Sequence, residues 1–250
     1  MIELEERGRV ALITINRQAR RNALNGALCA DLTDVLRSCH GSRAVVITGA
    51  GSAFCAGADL ATRFADSAGG GDTFRPAFEV ALDAIVEHPA PVIAAINGPA
   101  MGAGMQLAVA CDLRVAALGA RLAIPAGRLG ILLSPANIWR LASLVGHGKA
   151  RDFLLAGRIV TAEEAEHLGL VSRVVDDAVA EALAIAGEIA AFAPLTVQGH
   201  KRALNLVTAA LGEEARAEIA ALETAAFASG DLVEGMAAFA EKRSPEFDGR

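Results

Sequence analysis

The chain has 250 residues, a formal net charge of -6 and 53% hydrophobic residues, against a usual share of about 45–50%. That length suits one large α/β domain, and the acidic balance argues against nucleic acid as the main partner. The N-terminus MIELEERGRV is charged from residue 3 and has no signal-peptide apolar run, while Cys29, Cys39, Cys55 and Cys111 form neither a CxxC pair nor a zinc-ligand spacing; the expectation is a cytoplasmic protein with buried thiols and no metal.

In chain order, Ile2 and Leu4 alternate before a turn at Gly8, and Val10–Ile15 is a short apolar run, so the start reads as a hairpin. Leu28, Leu32, Val35 and Leu36 recur at helical spacing over 27–39. Residues 44–48 (AVVIT) are a buried strand closed by GAGS, and the Gly-rich stretch 61–73 predicts a mobile surface loop. Phe78, Leu82, Ile85 and Val86 mark the next helix, and Val92–Ile96 the next buried strand. The uncharged stretch between His88 and Asp112 is broken by Pro89, Pro91, Asn97, Gly98, Pro99 and Gln106, so it predicts a strand, a turn and a helix (102–110) and no membrane span. Leu113–Ala117 is a strand, 135–156 and 161–168 are helical, and 170–175 is the last strand. Beyond 177 the pattern is helical, broken at Pro194 and Gly230. Strands alternating with helices imply α/β architecture with parallel pairing. One domain is expected, with its core in 1–192 and a helical region, 193–250, packing on that core or on a neighbouring subunit.

Two turns carry the functional information. AFCAGADL (53–60) runs from a strand into Ala56-Gly57-Ala58, and INGPAMGAGMQLAVACD (96–112) ends a strand at Gly98-Pro99 and opens a helix at Gly102-Ala103-Gly104. Small residues stand where a backbone must come close to something, and the second turn aims a helix N-terminus at the same place. Two N–H groups converging there would form an oxyanion hole, each donor worth about 3 kcal/mol in a transition state. The alternative is that Gly and Ala only permit tight helix packing.

Taken with NRQARRNALN (16–25), AVVITGAGSAFCAGADL (44–60), PVIAAINGPAMGAGMQLAVACDLRVA (91–116), the stretch 144–175 and EGMAAFAEKRSPEF (234–247), these turns make nearly the whole chain resemble the enoyl-CoA hydratase/isomerase (crotonase) family. The resemblance implies the crotonase (ClpP-like) spiral of ββα units, with C-terminal helices used in assembly as a homo-trimer or a hexamer built as a dimer of trimers. It implies a coenzyme A thioester as ligand, an acyl-CoA of fatty acid metabolism, and no other cofactor. It places the oxyanion amides at Ala58 and Ala103. Contacts to coenzyme A or its acyl chain map onto Arg21, Ala23, Leu24, Ala56, Gly57, Asp59, Leu60, Gly102, Leu129, Leu133 and Ser134, with Phe239 and Lys242 near the nucleotide end. Arg17, Arg20 and Arg21 either meet the phosphates, for which guanidinium is well shaped, or form a solvated basic cluster.

The sequence departs from the family where hydration needs two glutamates. One position holds Gln106, three residues after Ala103 on the same helical face, and the other holds Ala126, after Pro125. An amide cannot take a proton at neutral pH and a methyl group has no polar atom, so hydratase activity is expected to be lost or vestigial. An isomerase, decarboxylase or thioester hydrolase working through an enolate, or a non-catalytic structural subunit, are the alternatives. The family's Gly-rich stretch after Ala126 reads LGILLSPANIWR (129–140). Leu132, Leu133 and Trp139 there form either an apolar wall for a fatty acyl chain or ordinary core. Ser134 and Asn137 have a surface or capping role, or orient a water. The resemblance puts Glu79 and Asp83, on the helix before Pro91, in a region that supplies acids or bases in some relatives, yet Glu79, Asp83 and Glu87 recur at i, i+4 and i+8, the spacing of a solvated helix stripe. Asp112 is expected to anchor local backbone or Arg114.

Overall fold

The computed structural model describes residues 1–60, 73–129, 131–208, 221, 229–231, 234, 238, 241 and 243–250. The expected hairpin forms from β1 (Ile2–Arg7) and β2 (Val10–Ile15), joined through Gly8 at φ 65°. The helix α1 (Gly26–Ser38) starts on Asn25, whose side chain accepts from Leu28 N, and it buries Leu28, Cys29, Leu32 and Leu36. Then follow β3 (Ala44–Gly49), α2 (Phe74–Val86), β4 (Val92–Ile96), β5 (Ala100–Met101), α3 (Ala103–Ala110), β6 (Leu113–Ala117) and β7 (Arg121–Ala123). The chain continues through α4 (Pro135–Leu154), β8 (Ile159–Thr161), α5 (Ala162–His167), β9 (Arg173–Val175), α6 (Ala178–Ala190) and α7 (Pro194–Thr208).

Six strands form one sheet in the order β1-β2-β3-β4-β6-β9. Only the β1–β2 pair is antiparallel; the remaining pairs are parallel. A parallel sheet is covered on both faces, and alternate side chains of these strands divide accordingly. Val45 and Ile47 join the large core beneath α1, α2 and α3. Ala44, Val46, Ile93, Ala95 and Val115 face α6, which presents Ala178, Ala182, Ala186 and Ala190. An alanine every fourth residue is one helix stripe, and it lets α6 lie close on the strands.

Three features differ from the sequence reading. A second sheet, β5-β7-β8, is present; its strands have 2 or 3 residues, too few to show a period. The last strand begins at Arg173, not at 170. The long helix α4 contains a non-helical residue, Gly146 (φ 76°, ψ 155°), beside His147.

Of the expected helical region 193–250, α7 lies against the core of its own chain. Lys201 Nζ, in a buried side chain, donates to Ile85 O (3.2 Å) and Ala90 O (3.1 Å) and pairs with Asp112 Oδ2 (2.7 Å). Asp112 also accepts from Val92 N (2.7 Å), so its carboxylate holds local backbone and a distant lysine, while Arg114 reaches only its backbone carbonyl (3.2 Å). Among the described residues no single helix is long and apolar enough to cross a membrane.

Candidate active site

The first Gly-Ala turn leaves the C-terminal end of β3 and is pinned by two asparagines. Asn22 is fully buried with φ 60°; it accepts from Arg17 N (2.9 Å) and donates to Ala50 O (2.9 Å) and Ala53 O (2.7 Å). Asn97, just past β4, donates to Gly49 O (2.7 Å) and Gly51 O (2.9 Å). Leu24 then bridges Ala58 in parallel, with Leu24 N donating to Gly57 O (2.8 Å) and Asp59 N to Leu24 O (2.7 Å). In such a bridge one residue makes both bonds, so the N–H and C=O of the residue opposite face the other way. Ala58 is that residue.

On that side lies the second turn. Cys55 bridges Ala100, and Met101 N donates to Cys55 O (2.9 Å). Gly102 (φ 54°) swings the chain into α3, whose first residue is Ala103. A methyl group on Gly57 (φ 106°) would stand 2.9 Å from Met101 O and 3.7 Å from Ala103 N, and one on Gly104 would stand 2.3 Å from Cys55 O. The two turns therefore touch main chain to main chain. Gly104 permits this packing, and Ala103 stands in the first turn of α3, where the amide has no carbonyl of its own helix to donate to. Among the described residues neither Ala58 N nor Ala103 N donates to a protein acceptor.

Both residues line a cavity of about 390 Å³. Ala56, Gly57, Leu60, Gly102, Gln106, Ala126, Leu133 and Ser134, all named in the sequence reading, line it too. Gln106 sits one turn into α3, its Nε2 donating to Gly102 O (3.4 Å), and Ala126 begins a 3-10 turn that ends at Leu129. Other expected residues support the turns from behind. Ala23 and Leu24 are buried. Asp59 is also buried, its carboxylate 2.7 Å from Arg17 Nη2, and Arg17 Nη1 donates to Ala23 O (2.9 Å). The basic cluster thus divides: Arg17 braces the turn, whereas Arg20 and Arg21 are exposed, and Arg21 O accepts from Ala56 N (3.0 Å). Phe239, Lys242 and residues 61–72 of the expected loop lie outside the described residues.

Glu79 requires a correction. The helical spacing assigned it to a solvated stripe, a description that fits Asp83 and Glu87, both exposed. Glu79 is half-buried and lines the cavity with Phe74, Arg75 and Phe78 of the same helix. Its Oε2 accepts from Ser134 Oγ (3.3 Å) and its Oε1 from Asn137 Nδ2 (3.1 Å). Ser134 also caps α4, its side chain accepting from Asn137 N. The apolar wall needs amending as well. Ile124, Ile131, Leu132 and Leu133 line the cavity, with Leu132 82% exposed. Trp139 lines a separate groove instead, 6.3 Å from the His147 ring, and neither Leu132 nor Trp139 is core. Burial pushes the Cys55 thiol up to about 12, so the cysteine behind the turns is a neutral packing group. Among the described residues no cluster of His, Cys, Asp or Glu is placed to hold a metal ion.

Comparison with known proteins fits this geometry. Over 255 residues, and 100% of each chain, the sequence is 43% identical to the "Probable enoyl-CoA hydratase echA6" of Mycobacterium tuberculosis (strain CDC 1551 / Oshkosh). The structure superposes on that of an enoyl-CoA hydratase from Polaromonas sp. JS666 with a TM-score of 0.92 at 30% identity, covering 99% of each chain. An enoyl-CoA hydratase from Bacillus anthracis gives a TM-score of 0.91 at 33% identity, over 100% of this chain and 99% of the other. The fold is therefore the crotonase fold that the motifs implied. The profile described as enoyl-CoA hydratase/isomerase matches residues 5–250, and the chain belongs to that family.

Proposed function

We propose that the protein binds an acyl-CoA thioester, with the carbonyl oxygen on the amides of Ala58 and Ala103, and that hydration by a pair of glutamates is lost or vestigial. One observation carries this reading: two main-chain amides, without protein acceptors among the described residues, belong to residues that line one largely apolar cavity. A thioester oxygen gaining negative charge suits two such donors. Gln106 and Ala126 line the same cavity, where a water would have to be activated and a proton delivered. Each positioned acid or base contributes roughly 10²–10⁴ in rate. The leucine-rich stretch 131–133 suits a fatty acyl chain, and Arg20, Arg21, Phe239 and Lys242 belong to the nucleotide end of coenzyme A. A homo-trimer or a dimer of trimers, assembled through 193–250 in the cytoplasm, completes the proposal.

The printed names of the relatives, enoyl-CoA hydratases, favour a second reading in which the chain hydrates an enoyl-CoA with what it has. Titration with saturated and enoyl-CoA thioesters of stepped chain length should release or absorb heat and raise the melting temperature; no shift at saturating ligand would end the acyl-CoA reading. Crotonyl-CoA hydration should lie at background in the native chain and rise in the Gln106→Glu/Ala126→Glu double variant. Native turnover matching or exceeding that of the double variant would return the chain to the hydratases.

A further inference from the structure

We propose that Glu79 is the acid/base group of this cavity, moving a proton at the α-carbon of the bound thioester; the proposal rests on the acyl-CoA reading above. Among the described residues that line the cavity, Glu79 is the only carboxylate. Its orientation is specified from outside its own helix. Asn137 is buried, and its Oδ1 accepts from Arg140 Nη1 (2.8 Å), which turns Nδ2 toward Glu79. Arg140 is held in turn by Asp83 Oδ1 through Nη2 (2.9 Å). Ser134 donates to the other oxygen of Glu79. Each oxygen thus receives one side-chain donor and keeps lone-pair capacity for a substrate proton. Base, orienting group and oxyanion donors around one cavity are the arrangement by which acid/base sites are recognised.

The donors Ser134 and Asn137 both come from 129–140, so one stretch of chain supplies both side chains that position this carboxylate. A purely structural account would have Glu79 support the N-terminus of α4, where negative charge is favourable. That account predicts an effect on stability and none on proton transfer.

The chemistry follows from having one base. Glu79 takes the α-proton; the electron pair of the broken C–H bond becomes the C=C bond of an enolate, and the charge moves to the thioester oxygen between the two amides. The carboxylic acid then returns a proton, either to the α-carbon or, when a double bond is in conjugation, to the γ-carbon. Atoms and charge balance without a co-reactant. The reaction class is α-proton exchange and double-bond migration, for which one acid/base group is enough, whereas adding water calls for a second.

The test uses the full chain with hexanoyl-CoA, which cannot be hydrated, in D₂O, and follows deuterium at the α-carbon by mass spectrometry. The native protein should exchange above the protein-free rate. Glu79→Gln should slow exchange about 100-fold or more, while hexanoyl-CoA affinity and melting temperature are kept. Asn137→Ala, which frees the carboxylate, should slow exchange at unchanged hexanoyl-CoA affinity. If Glu79→Gln fails to fold, Glu79→Asp should fold and still exchange more slowly than the native chain. Exchange at the native rate in a folded Glu79 variant would overturn the proposal, as would a native chain that binds hexanoyl-CoA and exchanges no deuterium. A native chain that binds no acyl-CoA would overturn both this proposal and the reading beneath it.

Discussion

Deleting one main-chain donor requires proline, and Ala103 is a position that accepts it. It is the first residue of α3, where proline's fixed φ suits the helix and its missing N–H breaks no helix bond. Ala103→Pro should leave thermal stability within about 1 kcal/mol of native, since N1 is the favoured helix position for proline. On the proposed acyl-CoA reading it should slow α-deuterium exchange by roughly 10²–10³, the usual effect of removing one oxyanion donor; a melting curve beside the exchange rate separates the two effects. Ala58 and Ala103 were named through the family resemblance; the Gly and Ala of the two turns marked a close backbone approach and left tight packing open. Glu79 was half legible: the resemblance put it in a region that supplies acids or bases in some relatives, but its spacing placed it on a solvated stripe, and its partners Ser134 and Asn137 lie 55 and 58 residues away. Asp112 was half legible for the same reason: its local partner Val92 lies within reach of sequence reasoning, and Lys201 does not.

At the level of elements, α3 decides where the second amide points, and its far end is fixed by a buried arginine. Arg114 Nη1 donates to Cys111 O (2.6 Å) and Ala108 O (3.4 Å), and Nε to Leu170 O (2.8 Å), so a cation sits where the helix carbonyls run out. Arg114→Met keeps the stem's bulk but strands these carbonyls. It should cost about 2–4 kcal/mol, read as a lower urea midpoint with an unchanged slope. The long elements were legible from period and caps. The strands β5, β7 and β8, of 2 or 3 residues, were not, because they exist only through their pairing with one another.

For the whole molecule, acid sensitivity centres on His88. Its ring is buried, 5.0 Å from the His40 ring, with Cys39 Sγ 4.0 Å from Nε2. Burial above all, with Lys201 and His40 nearby, lowers its pKa from 6.5 to about 4. The unfolded chain therefore takes this proton near pH 6.5 while the folded chain refuses it until about pH 4. The stability it contributes is complete above pH 6.5 and declines as pH falls toward 4, by about 3 kcal/mol in all. Urea unfolding at pH 7.5 and 4.5 should show this loss, and His88→Asn should remove the corresponding part of the pH slope. The wider architecture has its own consequence. The spacing between residues 58 and 103 is set where Gly57 meets Met101 and where Gly104 meets Cys55, backbone on backbone, whereas residues 131–133 line the same cavity from another stretch of the chain. If the proposed thioester binds here, grip and selectivity are built from different parts of the polymer: changes in the side chains of 131–133 would remodel which acyl tails are admitted while the clasp on the sulfur-bearing end keeps its dimensions.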